Sequence, residues 1–193
     1  MDRWLGQVAV LVPIKAFAEA KVRLAPALDA ASRAALAEAM AAQVLVAAAS
    51  LPVAVVCDDP GVADWARRHG ALVVWEPGRG LNRAVEAGVL RLAEAGVERV
   101  IVAHGDLPLA HDLGALGRGP GVTLVPDRRD DGTNVICLPA TAPFRFAYGP
   151  GSFSHHRAEA TRLRLPLTIV RDARLAFDVD VPADLAGLDI TQR

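Results

Sequence analysis

Short apolar runs alternate with longer helical patterns along the first half of the chain. The runs over residues 7–14, 53–57, 71–75 and 100–103 have the length and the β-branched content of strands that are buried on both faces. Between these runs apolar residues recur at three- and four-residue spacing, and the longest such pattern predicts a helix over Asp29 to Ser50. This alternation predicts a parallel sheet with right-handed crossovers and with helices on its faces.

The pattern changes after the fourth strand. Strands are predicted over residues 121–126 and 135–138, with a charged turn over 127–131 between them. A glycine-rich loop over 148–156 then precedes a helix that runs to about Leu163. No repeat, low-complexity segment or linker interrupts the chain, so we expect one domain over residues 1–193.

Two shorter segments carry local signals. Asp58 to Gly61 contains a Pro-Gly pair and is predicted to form a turn before a short helix over Val62 to His69. A second short helix is predicted over His111 to Leu116.

Composition narrows the fold and the function. Hydrophobic residues make up 52% of the 193 residues and aromatic residues only 5%, so Ala, Val and Leu build the core, which suits helices on a parallel sheet better than a β-sandwich. The net charge of −1 shows no excess of basic residues that could bind the phosphate backbone of a nucleic acid, so we expect no nucleic-acid partner. The sequence contains no secretion signal and no apolar stretch of membrane-spanning length, so we expect no membrane partner and a cytoplasmic protein. Cys57 and Cys137 are then free, buried thiols.

Asp106 is the first candidate for chemistry. It follows the buried strand over 100–103 and precedes Leu107-Pro108, which cannot continue a central strand. A carboxylate at the carboxyl end of such a strand lies where open α/β sheets bind ligands, and it is costly to bury without a positive partner. We expect that partner to be a divalent metal that carries a nucleotide. The alternative is a carboxylate that caps the turn before Leu109.

Asp178 and Asp180 form the second acidic motif. In an extended segment their side chains point to the same side, while Val179 points into the core. Two adjacent carboxylates repel each other unless a cation lies between them, and with Asp106 they make an oxygen-ligand set that suits magnesium. The alternative is that the pair only caps the helix that begins at Pro182.

Cations and glycines follow the other strands. Lys15, Lys21 and Arg23 come directly after the first strand, where loops bind phosphate oxygens, although the segment lacks the glycine spacing of a P-loop. Gly80 allows close approach of a flat ligand, and Asn82 offers a donor and an acceptor for a base or ribose. The alternatives are a solvated cationic loop and an Asn82 that caps its helix.

The loop before the last long helix is a candidate anion site. Gly149, Gly151 and Ser152 precede the helix, where free amide groups and the helix dipole favour phosphate or carboxylate. His156 lies one turn into that helix and is placed to face the same ligand. The alternative is that Ser152 is simply the N-cap.

Seven short motifs follow one another over nearly the whole chain: Val12-Pro13-Ile14-Lys15, Lys21-Val22-Arg23-Leu24, Gly80-Leu81-Asn82, Gly105-Asp106-Leu107-Pro108, Asp131-Gly132-Thr133-Asn134, Gly149 to His156, and Asp178 to Leu185. Together they resemble the 2-phospho-L-lactate guanylyltransferases and their actinobacterial branch, the phosphoenolpyruvate guanylyltransferases. The resemblance implies a Rossmann-like mixed α/β sheet of the nucleotide-diphospho-sugar transferase type, in three α/β/α layers. It also implies transfer of GMP from GTP to a three-carbon phospho-acid, with release of pyrophosphate, on the route to coenzyme F-420.

The resemblance also implies roles for single residues and a homodimeric assembly. Magnesium would be the cofactor, held by Asp106, Asp178 and Asp180, and these three with Lys15 and Lys21 would form the catalytic set. The nucleotide would contact Pro13, Lys15, Lys21, Arg23, Gly80, Leu81 and Asn82. The phospho-acid would contact Thr133, Gly149, Ser152 and His156. His104 and Tyr148 are not typical of these motifs, and both bear on the shape of the acceptor pocket.

Three rival functions are compatible with parts of this pattern. The first is another nucleotidyltransferase of the same fold, which uses a sugar phosphate or CTP. The second is a nucleotide-binding module without catalysis, against which the full acidic set argues. The third is a phosphatase with an aspartyl nucleophile, suggested by Asp178-Val179-Asp180, although such a nucleophile normally follows an early strand.

Overall fold

The computed structural model describes residues 7–78 and 80–189, and this part of the chain forms one seven-stranded sheet. The strands are β1 (Val8–Pro13), β2 (Val53–Cys57), β3 (Leu72–Trp75), β4 (Arg99–Ala103), β5 (Val122–Pro126), β6 (Thr133–Pro139) and β7 (Leu167–Ile169). The α-helices are α1 (Ala30–Ala47), α2 (Pro60–Arg68), α3 (Gly80–Glu94), α4 (Ser152–Arg162) and α5 (Pro182–Asp189). Short 3₁₀ helices cover Phe17–Glu19, Val22–Leu24 and Leu113–Arg118.

The sheet is mixed, with strand order β3-β2-β1-β4-β6-β5-β7. Strands β3, β2, β1 and β4 are parallel, whereas β6 runs antiparallel between β4 and β5, and β7 is parallel to β5. The carboxyl ends of β1 and β4 therefore meet at one edge of the sheet, between crossovers that leave in opposite directions. The mixed α/β fold that the resemblance implied is confirmed.

Apolar side chains pack on both faces of the sheet, which gives three layers. Along β1, Val10 and Val12 face the cluster formed with α1 and α2, whereas Ala9 and Leu11 face the cluster formed with α3 and α4. Alternate residues of a strand point to opposite faces, so a strand covered on both sides is apolar throughout. Gly88 of α3 lets that helix lie close to β1, since a Cβ there would come within 2.6 Å of Leu11 Cδ2.

Helix α1 differs from one expectation. Its 18 residues have a mean hydropathy of 1.2 and pass the length and composition test for a membrane span, although we expected no stretch to do so. The core helix of a soluble protein passes the same test, and Ala41, Val44 and Leu45 of α1 are buried against the sheet. This single helix is therefore weak evidence for a membrane span.

The structure corrects two local predictions and adds one strand that was not predicted. Asp58 to Gly61 is not a separate turn, because α2 already begins at Pro60 and the Asp59 side chain caps it by accepting a 2.8 Å hydrogen bond from Val62 N. The short helix predicted over His111 to Leu116 is a 3₁₀ helix over Leu113–Arg118. Strand β7 was not predicted, because its three half-exposed or exposed residues are too few to show a period.

Candidate active site

The candidate site lies at the sheet edge where β1 and β4 end. Lys15 and Lys21 follow β1, and Asp106 follows β4. The segment with Asp178 and Asp180 reaches the same edge from the far end of the chain, since Asp180 contacts Lys21. The structure thus brings together residues that are up to 159 positions apart in sequence.

Lys21 is the central cation of this edge. Its backbone is left-handed, with φ 55°, a conformation that costs a non-glycine residue on the order of 1 kcal/mol. The Nζ atom donates to Asp106 Oδ2 at 2.6 Å and to Asp180 Oδ1 at 2.9 Å. Burial opposes the charge on Lys21, but the charges and hydrogen bonds of the two aspartates outweigh burial and raise its pKa.

The three carboxylates influence one another. Burial would raise the pKa of Asp106, but the charges of Lys21 and His104 lower it below its usual value. Asp178 is different, since burial and then the negative charge of Asp106 raise its pKa. Arg23, with Nη1 3.6 Å from Asp180 Oδ2, adds a largely exposed cation. We call Lys21, Asp106, Asp178 and Asp180 the charge centre.

The charge centre has the donors that a magnesium ion needs. Among residues 7–78 and 80–189, no three His, Cys, Asp or Glu side chains are already arranged around a metal position, and the Lys21 ammonium lies between Asp106 and Asp180. However, Asp106 Oδ1 is buried without a hydrogen-bond partner, and the three carboxylates of the charge centre are matched there by one ammonium, that of Lys21. Carboxylate oxygens with surplus charge fit Mg²⁺, so metal binding by these three residues stays a prediction that the donor chemistry supports.

A cavity of about 190 Å³ opens beside the charge centre. It lies between the loop after β1, helix α1 and the end of β4, and its lining includes five residues from the predicted set: Pro13, Lys15, Lys21, Leu81 and Asp106. A smaller hollow of about 70 Å³ shares Pro13, Lys15 and Leu81 with it and extends to Gly80. The residues predicted to contact the nucleotide therefore border two adjoining spaces, except Arg23 and Asn82, which line neither.

Asn82 has a role that neither alternative anticipated. It is the third residue of α3, so it does not cap that helix. Its Oδ1 accepts from Tyr148 N at 2.7 Å, and its Nδ2 donates to Tyr148 O at 3.4 Å. Asn82 thereby ties the beginning of α3 to the glycine loop, and its contact with a base or ribose stays a prediction.

Three of the four residues predicted to bind the acceptor form a buried polar trio. Thr133 N donates to Ser152 Oγ at 3.0 Å, and His156 Nδ1 lies 3.0 Å from Thr133 Oγ1. His156 Nε2 accepts from Ala147 N at 3.0 Å, which places the ring proton on Nδ1. Burial lowers the pKa of His156 to about 4, so the ring is neutral.

The polar trio is closed to solvent, whereas Gly149 is exposed. Ser152 is not the N-cap of α4, because that position belongs to Gly151, in the left-handed conformation. Direct contact of Thr133, Ser152 or His156 with an acceptor stays a prediction. In this conformation their side chains bond to each other and to the backbone.

Arg128 and Asp184 are functional candidates that the sequence analysis did not assign. Asp184 Oδ2 accepts from Asp180 N and Val181 N at 2.8 and 2.9 Å, and its Oδ1 accepts from Arg128 Nη2 at 2.8 Å. Arg128 Nη2 also donates to Asp178 O at 3.1 Å, and its guanidinium lies 4.2 Å above the Phe177 ring. These contacts hold both acidic residues of the second motif in place. The signal in the sequence was an acidic residue two positions after Pro182, where a side chain reaches back to the amides before its helix.

Comparison with known proteins assigns the family. The family described as "Guanylyl transferase CofC like" matches residues 8–191. The chain belongs to the CofC-like guanylyltransferases. It is therefore an enzyme that transfers a guanylyl group, and its substrate is a nucleotide.

Relatives of this CofC-like guanylyltransferase are similar over nearly their whole length. The phosphoenolpyruvate guanylyltransferase of Rubrobacter xylanophilus is 37% identical over 191 residues, which cover 94% of this chain and 93% of the relative. That of Conexibacter woesei is 38% identical over 190 residues, covering 92% and 85%. A solved structure from Desulfovibrio desulfuricans G20, named for the nucleotide-diphospho-sugar transferases, superimposes with a TM-score of 0.80 at 17% identity and covers 98% of this chain and 89% of its own. At that identity the last similarity shows the fold alone.

Proposed function

We propose that this guanylyltransferase moves GMP from GTP to the phosphate of a three-carbon phospho-acid and releases pyrophosphate. Phosphoenolpyruvate is the first candidate acceptor, because the relatives in Rubrobacter and Conexibacter carry that name. 2-Phospho-L-lactate is the second, from the motifs shared with its guanylyltransferases, which also support a place on the route to coenzyme F-420. The observation that carries the proposal is the charge centre at the ends of β1 and β4, beside a cavity lined by Lys15 and Lys21.

The reaction depends more on neutralising the negative charges of the two substrates than on proton transfer. An oxygen of the acceptor phosphate forms a bond to the α-phosphorus of GTP, the bond from that phosphorus to the oxygen that bridges to the β-phosphate breaks, and pyrophosphate leaves with the electron pair. The acceptor oxygen is already anionic, so no strong general base is needed. The obstacle is the electrostatic repulsion between two polyanions, GTP and the acceptor. Lys15 and Lys21 reduce this repulsion by placing positive charge beside the cavity.

The acidic residues complete this site. Asp106, Asp178 and Asp180 would hold Mg²⁺, which supplies positive charge to the triphosphate when it is bound. In the protein itself, Lys21 neutralises Asp106 and Asp180 and keeps the β1, β4 and Asp180 segments together. Arg128 and Asp184 hold the backbone of Asp178 and Asp180, which would position these two carboxylates for the cation before substrate arrives.

A pyrophosphate-release assay tests the proposal. The purified protein is incubated with Mg²⁺, with each of GTP, ATP, CTP and UTP, and with phosphoenolpyruvate, 2-phospho-L-lactate, 3-phosphoglycerate or a sugar phosphate. The masses of the products are measured by mass spectrometry. We expect pyrophosphate only with GTP, and a product mass that equals acceptor plus GMP less water. Pyrophosphate release with CTP and a sugar phosphate, but not with GTP and a phospho-acid, would replace the proposal by the first rival. Binding of GTP without turnover on any acceptor would favour the second rival.

A further inference from the structure

Three polar atoms without partners lie on adjacent side chains next to the charge centre. His104 Nε2, Asp106 Oδ1 and Tyr148 Oη are each buried and make no hydrogen bond within the described part of the chain. The rings of His104 and Tyr148 are 4.9 Å apart between centroids, and His104 Nδ1 is 4.0 Å from Asp106 Oδ1. The three side chains therefore form a row that runs from the charge centre toward the glycine loop.

Such a row is costly unless a ligand completes it. Each buried polar group without a partner destabilises a protein by roughly 1–3 kcal/mol. The polar trio nearby avoids this cost, because the side chains of Thr133, Ser152 and His156 are bonded. The polar trio is bonded within the protein, whereas the row is not. This contrast indicates that the polar atoms of the row are available to bind a ligand.

The row borders the cavity on its β6 side, and its far end, Tyr148, is bonded through its backbone to Asn82 at the beginning of α3. His104 N donates to Asn134 O at 3.0 Å, which places it against β6, whereas Lys15 and Leu81 belong to the β1 and α3 side. His104 lines the cavity that Lys21 and Asp106 also line. Gly149, the residue after Tyr148, lies at the surface, since a Cβ placed on it would meet no atom within 4 Å.

The available donors suit a carboxylate. The hydroxyl of Tyr148 stays protonated, because burial raises its pKa well above the usual range. The Tyr148 ring stacks on the Phe146 ring, with 5.9 Å between the ring centroids. A hydroxyl and a ring N–H both donate hydrogen bonds, and hydrogen bonds to an ionised carboxylate are stronger than those between neutral groups. To react, the phosphate end of the acceptor must approach Lys15 and Lys21 beside the cavity, which leaves its other anionic end for the donors of His104 and Tyr148.

From this geometry we infer that His104 and Tyr148 form the subsite for the carboxylate of the acceptor, and that they set the choice among phosphate esters. The inference rests on the proposed function and names the two side chains that would recognise the acid group. A carboxylate oxygen would accept from Tyr148 Oη and from a ring nitrogen of His104, and would satisfy two of the three unpartnered atoms.

The variants Tyr148→Phe and His104→Gln test the subsite. Steady-state rates are measured with GTP and either phosphoenolpyruvate or glycerol 2-phosphate, an ester that carries hydroxymethyl groups in place of the carboxylate. We expect each variant to raise KM for phosphoenolpyruvate about tenfold or more and to leave KM for GTP and the rate with glycerol 2-phosphate nearly unchanged. The preference for the acid should therefore shrink in the variants.

The melting temperature provides a readout independent of turnover. Tyr148→Phe removes only a hydroxyl without a partner, so the ligand-free variant should melt at the same or a higher temperature than the parent, while the stabilisation by added phosphoenolpyruvate should shrink. His111→Gln is the matched control, because His111 pairs with Asp172 outside this cavity at 3.0 Å, and it should leave both kinetic constants unchanged.

The outcomes separate the inference from the proposed function. If the parent enzyme turns over phosphoenolpyruvate and both variants keep its KM, the subsite is wrong and the proposed function stands. A ligand-free Tyr148→Phe protein that melts at a clearly lower temperature would also overturn the inference, since the hydroxyl would then be bonded in the protein. If the parent enzyme uses no phospho-acid at all, the proposed function fails and the subsite fails with it.

Discussion

Two polar regions of this enzyme differ in whether their buried groups have hydrogen-bond partners. The charge centre of Lys21, Asp106, Asp178 and Asp180 carries a left-handed lysine, a buried carboxylate oxygen without a partner and a carboxyl whose pKa is raised. The buried polar trio carries none of these features, because its side chains are hydrogen-bonded and its histidine is neutral.

The difference separates side chains with unused hydrogen-bonding capacity from side chains that already bond to each other. Unpaired groups and backbone strain persist only where the surrounding structure enforces them, and they are common at functional sites. Paired buried groups stabilise one conformation and tolerate little change. Substitutions in the charge centre should therefore act on turnover, and substitutions in the polar trio should act on stability.

The largest effect is expected for Asp106→Asn. The amide keeps the shape of the side chain but removes the charge that meets Lys21 and the predicted cation, so turnover should fall about a thousandfold or more. The free energy of unfolding should change little, because Lys21 keeps Asp180 as a partner. Pyrophosphate release and thermal melting measure the two effects. Asp64→Asn, in an exposed ion pair with Arg67, is the control and should alter neither.

The same test extends to Asp178→Asn and Asp180→Asn. If any two of the three variants keep near-parental rates with GTP and magnesium, the metal assignment is wrong.

The pH dependence of stability tests the polar trio. The pKa of His156 is lowered to about 4 from 6.5, so the folded protein binds this proton less readily than the unfolded chain. Its contribution to stability is complete above pH 6.5 and decreases as the pH falls toward 4, by up to about 3 kcal/mol. Melting temperatures between pH 4 and 7 measure it. His156→Gln should lose this slope, whereas the exposed neighbour substitution His155→Gln should keep it; an unchanged slope in His156→Gln would contradict the assignment.

Arg128→Lys should lower turnover less than Asp106→Asn does, because it acts only on the orientation of the charge centre. Lysine has a shorter side chain and lacks the guanidinium plane that lies over the Phe177 ring, so it holds Asp178 O and Asp184 Oδ1 less firmly, and turnover should fall roughly 10- to 100-fold. Binding of Mn²⁺, followed by electron paramagnetic resonance without nucleotide, should weaken in parallel. Arg129→Lys, at the next exposed position, is the control. A loss of stability without any loss of Mn²⁺ affinity would assign Arg128 a purely structural role.

The smallest effect is expected for Thr133→Val. The substitution keeps the shape but leaves the buried ring N–H of His156 without its acceptor, which costs about 1 kcal/mol of stability. The KM for the acceptor should stay near the parental value. Thr161→Val on the exposed side of α4 controls for the loss of a hydroxyl. A large rise in KM with unchanged stability would show instead that Thr133 contacts the acceptor.

Local patterns predicted the first four strands and the long helices well. The helical signals are periodic over many residues, and β1, β2 and β4 are buried over most of their length, so few alternatives fit. Short or backbone-driven features were missed. Strand β7 has three residues, and α2 begins earlier than predicted because Asp59 and Pro60 form a cap and first turn rather than a separate turn.

What the sequence determined by itself was the kind of chemistry. Acidic residues after buried strands, cations after β1 and a glycine loop before α4 are local facts, and their order along the chain resembled one family. What only the tertiary structure decided was which polar groups are already bonded. Asn82, Thr133, Ser152 and His156 find partners on other segments, while His104, Asp106 and Tyr148 keep buried atoms without one. The physical reason is that hydrogen-bond satisfaction depends on residues far away in sequence, so a local pattern can name a candidate but cannot show whether the fold has used it.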